Sequence, residues 1–406
     1  MANDDQASQP RQPRVPRRKF LIGGSAAALT LLIAGCGGDG DGGDDTPTEA
    51  DDGTPAGDGD TDTPTEADDA PEKPDSITVR AWGGNWQDSV DQSIAQPFTE
   101  DTGIDVEFDN TDRTTMQGQI RTALQQDREP PVNVMWTVRT AAHTEYGQEL
   151  TDPLDPSIVT NLDQMFDLAI PDVDGDPPYL NLYSYTYALC YNEEELESLQ
   201  GNTEPVESWE TLKEDTYQDA LGVYDNGYGL HPVLAALAGI ELDSGDYEPM
   251  WDQLEELEPS IGFVGDDTNL TESLRSGEIP YSQLLVNNIT SAVRDDGEPL
   301  GWTIPEEGTT AWQDSMYTPR NQPEGERYWS QVFINYAASE DVQNDWIETL
   351  NLPMLNENVE PPEWMADDPA FPTDQEQLDA LLTPDPAVYL ENQSEWYDQF
   401  NQIVSA

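Results

Sequence analysis

The sequence predicts an α/β fold with two domains. Strand-like and helix-like segments alternate after residue 75, and this order favours parallel strands joined by right-handed crossovers. The 331 residues of this region are enough for two domains of ordinary size. All 11 Trp, all 16 Tyr and seven of the eight Phe also lie there, which gives enough aromatic surface for a packed core.

The first part of this region shows a regular β-α-β-α-β pattern. Alternating apolar residues predict strands, and apolar residues three or four apart predict helices. Gly103 is suited to end the first helix in a left-handed conformation. The predicted elements are a strand over 76–82, a helix over 87–100, a strand beginning over 104–108, a helix over 114–126 and a strand over 132–138.

A long strand is predicted over residues 183–191, where Tyr and Leu alternate with smaller side chains. Its aromatic face can pack under helices, or the strand can cross between two lobes with its rings towards a cleft. The α/β pattern continues less clearly over 193–298, with Ser208 as a plausible helix N-cap. Further helices are predicted over 247–257, within 325–350 and over 387–403.

The charge balance excludes several classes of partner. The chain has 83 Asp and Glu against 16 Lys and Arg, a formal net charge of −67. Such a surface repels phosphate backbones and anionic membranes. Only three Lys occur, and this acid-rich, Lys-poor composition resembles that of halophilic proteins, whose fold stays soluble where salt screens repulsion. Because carboxylates are so frequent in this sequence, a pair of them is weak evidence for a catalytic site.

Residues 1–36 read as an export signal. Arg17-Arg18, followed by Phe20 and Leu21, looks like a twin-arginine motif, although an ordinary secretory signal is the alternative. The apolar run over 21–34 has 14 residues, fewer than the about 20 that span a bilayer. Cys36 follows Ile-Ala-Gly and resembles the lipidated residue of a lipobox, unless it is a chance Cys after the signal. We expect an exported protein that a lipid anchors to the outer face of the cell membrane.

Residues 37–75 read as a disordered acidic tether. They are almost entirely Gly, Asp, Thr, Pro, Glu and Ala, and a heptapeptide at 46–52 recurs at 63–69. Such a composition cannot build a core, and its like charges extend the chain. A lipid anchor, a tether and a globular body together indicate a surface-anchored binding lipoprotein.

No motif supports an enzyme, a cofactor or a metal site. Cys190 is the only other Cys, so no internal disulfide is expected, and its strand-like context predicts a buried side chain. Neither His143 nor His231 lies in a motif that would activate a thiol. Phosphate-binding loops, zinc-protease motifs and nucleophile elbows are absent from the sequence.

Several motifs resemble the extracellular solute-binding proteins of ABC importers. The segment 98–106 (Phe-Thr-Glu-Asp-Thr-Gly-Ile-Asp-Val) is similar to the start of that family. An ordered series resembles its spermidine/putrescine-binding branch, and the resemblance covers about residues 77–350. The series comprises Gly-Glu-Ile at 277–279, Trp-Thr-Ile-Pro-Glu-Glu-Gly at 302–308, Trp-Gln-Asp-Ser at 312–315 and Phe-Ile-Asn-Tyr at 333–336.

The resemblance implies a type II periplasmic-binding-protein fold. In this fold two lobes, each a mixed sheet flanked by helices, are joined by hinge crossover strands and clamp a ligand between them. We expect the crossing strands near 183–191 and 302–312. The predicted first lobe is 76–185 with 310–350, and the second is 186–309 with 351–406. The implied function is that of a monomeric receptor, not an enzyme, that captures a solute and delivers it to an ABC transporter permease.

The same resemblance implies a polyamine-like ligand and names candidate contacts. Polyamine-binding members hold amines with aromatic rings and carboxylates, both of which attract ammonium groups. The residues at matching positions are Trp312 and Asp314, Trp82 after the first strand, Trp136 and Thr137 (with Val138) after the third, and, as a weaker match, Asp225 in the second lobe.

Departures from the family pattern keep other ligands open. Leu285 and Leu352 stand near positions where the family has Trp and Tyr, and Gly83-Gly84 replaces a polar pair. Arg139 would disfavour a cation if it faced the cleft.

Within the same class, the alternatives are an anionic or carboxylated ligand, or a ferric ligand held by Tyr183, Tyr185 and Tyr187. Outside the class, the alternatives are a tethered surface hydrolase, for which no dyad is visible, and a structural envelope protein, which would not need a cleft lined by tryptophans.

Overall fold

The computed structural model of the chain describes residues 19–20 and 70–405. Arg17, Arg18 and Cys36 of the predicted export signal lie outside the described residues, as do residues 37–69 of the predicted tether. Nearly all of the described residues thus belong to the globular body.

The described chain alternates strands and helices. The strands are β1 (Lys19–Phe20), β2 (Ser76–Arg80), β3 (Asp105–Asp109), β4 (Val134–Val138), β5 (Thr151–Asp152), β6 (Leu180–Asn192), β7 (Leu221–Tyr224), β8 (Ile261–Gly265), β9 (Tyr281–Leu285), β10 (Leu300–Thr303) and β11 (Ala311–Pro319). The α-helices are α1 (Gly84–Val90), α2 (Gln96–Thr102), α3 (Arg113–Gln125), α4 (Arg139–Gly147), α5 (Glu193–Gln200), α6 (His231–Ala238), α7 (Glu248–Leu257), α8 (Asp267–Arg275), α9 (Asn287–Arg294), α10 (Glu324–Ala337), α11 (Glu340–Leu350), α12 (Glu363–Ala366), α13 (Gln375–Asp379) and α14 (Pro386–Val404). A π-helix (Asp91–Ala95) joins α1 to α2, and short 3-10 helices fill several connections.

Strand β6 belongs to two sheets. Residues 180–186 pair with β11 on one edge, and residues 353–355 hydrogen-bond to the other edge. Beyond them, residues 187–192 pair with β9 and β10. The chain thus changes all its neighbours after Thr186, as expected for a strand that crosses between two lobes.

Each half of the sheet is mixed, as predicted. The first half-sheet runs β3-β2-β4-β11-β6, with β3, β2 and β4 parallel and β11 antiparallel to its neighbours β4 and β6. The second half-sheet runs β6-β9-β7-β8-β1, with β9, β7, β8 and β1 mutually parallel. Helices flank both halves, so the described chain has the predicted α/β architecture.

Most predicted elements lie where the sequence places them. Gly103 ends α2 with a φ of 73°, the left-handed conformation that glycine allows. The helix predicted over 87–100 is interrupted by the π-helix at residues 91–95. Ser208 does cap a helix, but this helix is a short 3-10 helix (Trp209–Lys213). The predicted strand over 183–191 is longer, because it also pairs within the first half-sheet.

The segment from residue 351 onward contacts both halves of the body. Residues 353–355 hydrogen-bond to the first half of β6, although residues from 351 on were predicted in the second lobe. Helix α14 packs against α4, against α7 and against the 3-10 turn Asp225–Gly227 that follows β7. The exact lobe boundaries therefore stay a prediction, since this segment bridges the two halves.

The core is rich in aromatic residues. Cys190 is fully buried and unpaired among the described residues, and burial raises the pKa of its thiol, which fits the predicted small apolar role. The largest fully buried side chains are Trp136, Trp209, Trp312, Trp346 and Trp396. In the described part of the chain, no helix is both long and apolar enough to cross a membrane.

A methyl group added at Gly262, in β8, should destabilise the second half-sheet. Its Cβ would lie 2.2 Å from the Asp219 backbone oxygen, which cannot rotate away. We expect Gly262→Ala to cost about 1–3 kcal/mol, as other overpacked sites do. Gly118→Ala in α3, whose Cβ meets nothing within 4 Å, should instead stabilise by roughly 0.5–1 kcal/mol. Urea unfolding in molar KCl measures both, and a Gly262→Ala protein as stable as the wild type would contradict the packing.

Candidate functional site

The register of β6 and β11 brings two predicted site residues beside a row of tyrosines. Trp312 pairs with Tyr185, and Asp314 pairs with Tyr183. Because paired residues point to the same face of a sheet, these four side chains share one face. A register shift after Asp314 separates this face from the rest of β11. The sequence spacing thus places a ring and a carboxylate side by side at the crossing strand.

The Asp314 carboxyl group is buried among hydroxyl and indole groups. Its residue is 8% exposed, and both of its oxygens accept hydrogen bonds, one from the Tyr183 hydroxyl and one from the Tyr185 hydroxyl at 3.1 Å. Burial raises the pKa of Asp314 to about 7, while the two tyrosines and the charge of Arg80 lower it. The carboxyl group is therefore poised between its neutral and charged forms near neutral pH.

Three tryptophans of the first half of the body are connected to this carboxyl group through Tyr183. The Trp86 indole donates a 2.9 Å hydrogen bond to the Tyr183 hydroxyl, which in turn donates to Asp314. The Trp86 ring also meets the Trp82 and Trp136 rings edge to face, with centroids 4.7 Å apart in both pairs. Of these rings, Trp82 is the most accessible, at 37% exposed. The exposed Trp82 ring is thus connected, through Trp86 and Tyr183, to the buried Asp314 carboxyl group.

Aromatic rings from the second half of the body complete the cluster. Tyr228, which follows β7, lies parallel to the Trp312 ring with centroids 5.8 Å apart. Tyr389 of α14 meets the Trp312 ring edge to face at 4.9 Å. Trp312 is consequently only 1% exposed. The ring that the sequence placed in a cleft is thus covered by side chains of the second half-sheet region and of α14.

Two carboxyl groups follow neighbouring strands of the second half-sheet, the predicted Asp225 and Asp267. Asp225 begins the 3-10 turn after β7, is exposed, and makes no hydrogen bond with the cluster around Trp312 and Asp314. Asp267, at the start of α8, instead accepts a hydrogen bond from the Tyr224 hydroxyl. The Tyr224 ring meets Tyr187 at 5.0 Å, so Asp267 is linked to the tyrosine row of β6. A ligand contact by Asp225 remains a prediction.

Hydrogen-bond donors collect where β4 ends and α4 begins. Thr137 is fully buried, and its hydroxyl has no partner among the described residues. Arg139 begins α4, and its Nη1 donates a 3.2 Å hydrogen bond to Gln313, while its buried Nε has no partner among the described residues. The described residues also offer no acceptor to the buried indole N–H groups of Trp136 and Trp312. Because Val138 pairs with Asp314 and Thr137 with Ser315, Thr137 and Gln313 point to the face of the sheet opposite Asp314.

A second buried carboxyl group lies behind the site. Glu145 of α4 is fully buried, and burial raises its pKa to about 7. Hydrogen bonding to Tyr317 and the positive charges of three arginines lower this pKa, but less than burial raises it; the arginines are Arg113, Arg80 and Arg121. Arg80 is itself buried and donates hydrogen bonds to the backbone oxygens of Trp136 and Thr111. The guanidinium of Arg80 also lies 4.9 Å from the Trp82 ring centre. The charges of both Asp314 and Glu145 therefore act on one buried arginine.

Several residues of the cluster lie in no motif of the sequence. Trp86 lies in α1 and Trp82 precedes this helix, so helical spacing does not predict the contact between the two rings. Tyr228, Tyr389 and Arg80 carry no local signal, because tertiary packing alone brings them to Trp312 and Asp314. Contacts of Trp86 and Tyr183 link the predicted residues Trp82, Trp136 and Asp314, and Trp312 shares the face of Asp314. Thr137 pairs with Ser315 and therefore points to the other face of the sheet.

The arrangement favours binding over bond-breaking chemistry. A carboxylate lined by aromatic rings attracts an organic cation through charge and through ring faces. Within the described residues, no group of three or more His, Cys, Asp or Glu is arranged to hold a metal ion. His231, one of two histidines, is buried among aromatic rings of α7 and α14, and burial lowers its pKa to about 3.

Comparison with known proteins identifies a family. The profile of the family described as bacterial extracellular solute-binding proteins matches residues 93–373. The spermidine/putrescine-binding periplasmic protein of Salmonella typhimurium is 24% identical over 276 residues, which cover 67% of this chain and 76% of that protein. The protein of the same description from Escherichia coli aligns over the same length at the same identity.

Solved structures share the fold. A spermidine/putrescine ABC transporter substrate-binding protein from Streptococcus pneumoniae superimposes with a TM-score of 0.65 and 20% identity, covering 82% of this chain and 100% of that one. An ABC transporter substrate-binding protein from Bradyrhizobium japonicum gives a TM-score of 0.65 and 19% identity, covering 81% and 99%.

Glu145→Gln should change the pH dependence of folding stability. The folded-state pKa of Glu145, about 7, lies above its usual value of 4.5, so the folded protein holds a proton that the unfolded chain has released. The contribution of Glu145 to the free energy of unfolding is fully present below about pH 4.5. It is lost as the pH rises through 7, so the free energy of unfolding falls by up to about 3 kcal/mol. The variant should therefore gain stability relative to the wild type at pH 8 but not at pH 4.

Urea unfolding across this pH range measures the effect in molar KCl. Glu129→Gln, on the exposed loop after α3, is the control for the loss of one negative charge. Equal pH profiles for the wild type and Glu145→Gln would show that the Glu145 carboxyl group is not held neutral by burial.

Proposed function

The chain belongs to the family of bacterial extracellular solute-binding proteins, and we propose that the solute it captures is a small organic cation held at Asp314. Proteins of this kind are receptors, not enzymes, and deliver their ligand to the permease of an ABC transporter. This class accounts for the two-lobe fold and leaves the tethered hydrolase and the structural envelope protein without support.

The buried Asp314 carboxyl group carries the proposal. Burying a carboxylate without a cation in direct contact is costly, and the pKa of Asp314 is raised although the charge of Arg80 opposes the shift. A ligand ammonium group would supply the missing charge and form a charge-assisted hydrogen bond of about 1.5–3 kcal/mol. The nearby indole and phenol rings would add about 0.5–2 kcal/mol through cation–π attraction. An anion at this position would meet the same carboxylate without any compensation.

Among organic cations, polyamines are the leading candidates. The relatives named as spermidine/putrescine-binding proteins support this choice, although they are only 24% identical. Two positions that are aromatic in that branch are Leu285 and Leu352 here, and the structure places Leu285 at the end of β9 and Leu352 in the core. With leucine at these two positions, the proposed ligand site has fewer aromatic residues than the site of that branch. Organic cations other than polyamines are therefore candidates as well.

A ferric ligand is less well supported by the same residues. Tyrosine binds ferric iron as a phenolate, so a tyrosine that coordinates iron needs a hydroxyl group with a low pKa. Burial and the neighbouring charge of Asp314 raise the pKa values of Tyr183 and Tyr185 well above the usual value. Both hydroxyl groups already donate to Asp314. This arrangement stabilises the protonated phenols and opposes iron binding by this pair.

We also infer that the receptor is exported and held at the outer face of the membrane by a lipid on Cys36, with Arg17-Arg18 as the export motif. The family match supports an extracellular site of action. The lipid anchor rests on the sequence of residues 1–36 alone, and so does the choice of a twin-arginine route. A monomer is expected, because one chain supplies both halves of the site.

Asp314→Asn tests the cation site directly. The substitution keeps the shape of the side chain and removes its charge, so we expect affinity for the cationic ligand to fall by about tenfold or more. Isothermal titration with putrescine and spermidine in molar KCl measures the change. Asp252→Asn, on the exposed surface of α7, is the control with the same change in charge. Unchanged affinity in Asp314→Asn would show that the solute is not a cation bound at this residue.

Cys36→Ser tests the lipid anchor independently of the ligand. The predicted apolar run of 14 residues is too short to span a bilayer, which takes about 20. The variant should therefore appear in the medium instead of the membrane fraction, as cell fractionation and immunoblotting would show. Retention of the processed Cys36→Ser protein in the membrane fraction would contradict lipidation at this residue.

A further inference from the structure

A side chain of the protein covers the candidate cation site. A cation held by Trp312 and Asp314 needs a free ring face and a path from solvent. Both of these side chains are buried. Tyr228 lies over the Trp312 ring with nearly parallel planes, at an angle of 7° and a centroid distance of 5.8 Å. The Tyr228 ring is therefore placed where the proposed ligand would contact Trp312.

The Tyr228 ring fills a cage of aromatic rings. One wall is the stacked ring of Trp312. The other walls meet the Tyr228 ring edge to face, with centroids 5.6, 6.4 and 6.3 Å away, and are Tyr187, Tyr224 and Tyr389. Rings arranged around one place in this way attract organic cations. In this structure a phenol ring of the chain itself occupies that place.

Two carboxyl groups act on the same phenol. Burial raises the pKa of the Tyr228 hydroxyl group, and the charges of Asp314 and Asp267 contribute to the rise. These carboxyl groups belong to the two different halves of the body. Their negative potential attracts positive charge, and a neutral phenol gains little from it. A cation of similar size would therefore be favoured over Tyr228 in the cage.

Tyr228 is the member of the cluster that is best placed to move. It is half-buried, whereas the four rings around it are all buried. Both of its chain neighbours are glycines, Gly227 and Gly229, and neither has a side chain that could block rotation of the phenol. The Tyr228 ring is thus the outermost ring over Trp312, next to solvent.

The backbone on both sides of Tyr228 is anchored. The backbone oxygen of Gly229 accepts hydrogen bonds from Gln283 and Thr310, at 2.7 and 2.6 Å. Gly227 packs so closely against a ring of α14 that an added Cβ would lie 2.5 Å from it. Opening the cage is therefore a rotation of one side chain and needs no movement of the loop.

We propose that Tyr228 is an intramolecular plug of the ligand site, which a cationic solute replaces when the phenol ring turns out of its cage. This inference rests on the proposed function and assigns how that site opens. Only molecules whose Tyr228 ring is turned out can bind the solute, so the plug lowers the apparent affinity by the fraction of such molecules. It also keeps water from Trp312 and Asp314 until the solute arrives.

Tyr228→Ala should speed ligand binding. A minor conformation of this kind is populated at about 10% or less, so removal of the plug should raise the apparent affinity for putrescine about tenfold or more. The gain should lie in the association rate constant, with dissociation unchanged, because the bound state no longer contains the plug contact. Stopped-flow tryptophan fluorescence in molar KCl measures both rate constants, and isothermal titration measures the affinity.

Three further variants separate the plug from general effects of losing a tyrosine. Tyr146→Ala removes an exposed ring on α4 and should retain the rate constants of the wild type. Tyr228→Phe keeps the ring and should still associate slowly. Tyr228→Leu fills part of the cage and should give a smaller acceleration, so it replaces Tyr228→Ala as the test if urea unfolding shows that the alanine variant does not fold.

The outcomes distinguish the plug from the proposed cation site. Faster association in Tyr228→Ala supports the plug, also where putrescine binds to this variant and not to the wild type. Unchanged or slower association, or faster dissociation, would make Tyr228 a bystander or a ligand contact and overturn the plug, while weaker binding in Asp314→Asn would still support the cation site. If neither putrescine nor spermidine binds to the wild type or to Tyr228→Ala, both proposals fail.

Discussion

The exchange of partners along β6 is the constraint on which the rest of the body depends. A strand can pair with only one neighbour on each edge at a time, so the change after Thr186 forces the chain into two half-sheets. The same strand carries Tyr183, Tyr185 and Tyr187 on one face, which continues through the crossing point. Because β11 pairs with the first half of this strand, Asp314 is fixed beside two of these hydroxyl groups.

In the proposed site, the buried carboxyl group of Asp314 would lower folding stability in exchange for ligand binding. An apolar residue at position 314 would avoid the cost of burying a carboxyl group among rings, but it would offer nothing to a cation. Thr137 and Arg139, on the other face of the same strand pair, carry an analogous cost, since no described residue bonds to the Thr137 hydroxyl or the Arg139 Nε.

The sequence predicts the fold well because strand alternation, helical spacing and glycine at a helix end are local signals. It also predicts that Trp312 and Asp314 share a face, because a two-residue spacing in a strand has that consequence. It does not reveal that Tyr228 and Tyr389 cover Trp312, because both contacts join segments distant in sequence. Asp267 shows the same limit: among 83 acidic residues, only packing distinguishes the one that Tyr224 contacts.

The position of α14 has a consequence for folding. This helix packs against α4 as well as against α7 and the turn after β7. Before α14 docks, β6 can already join the two half-sheets, but the Trp312 ring lacks the edge-to-face contact with Tyr389. Docking of α14 is therefore the step that completes the aromatic cluster around Trp312.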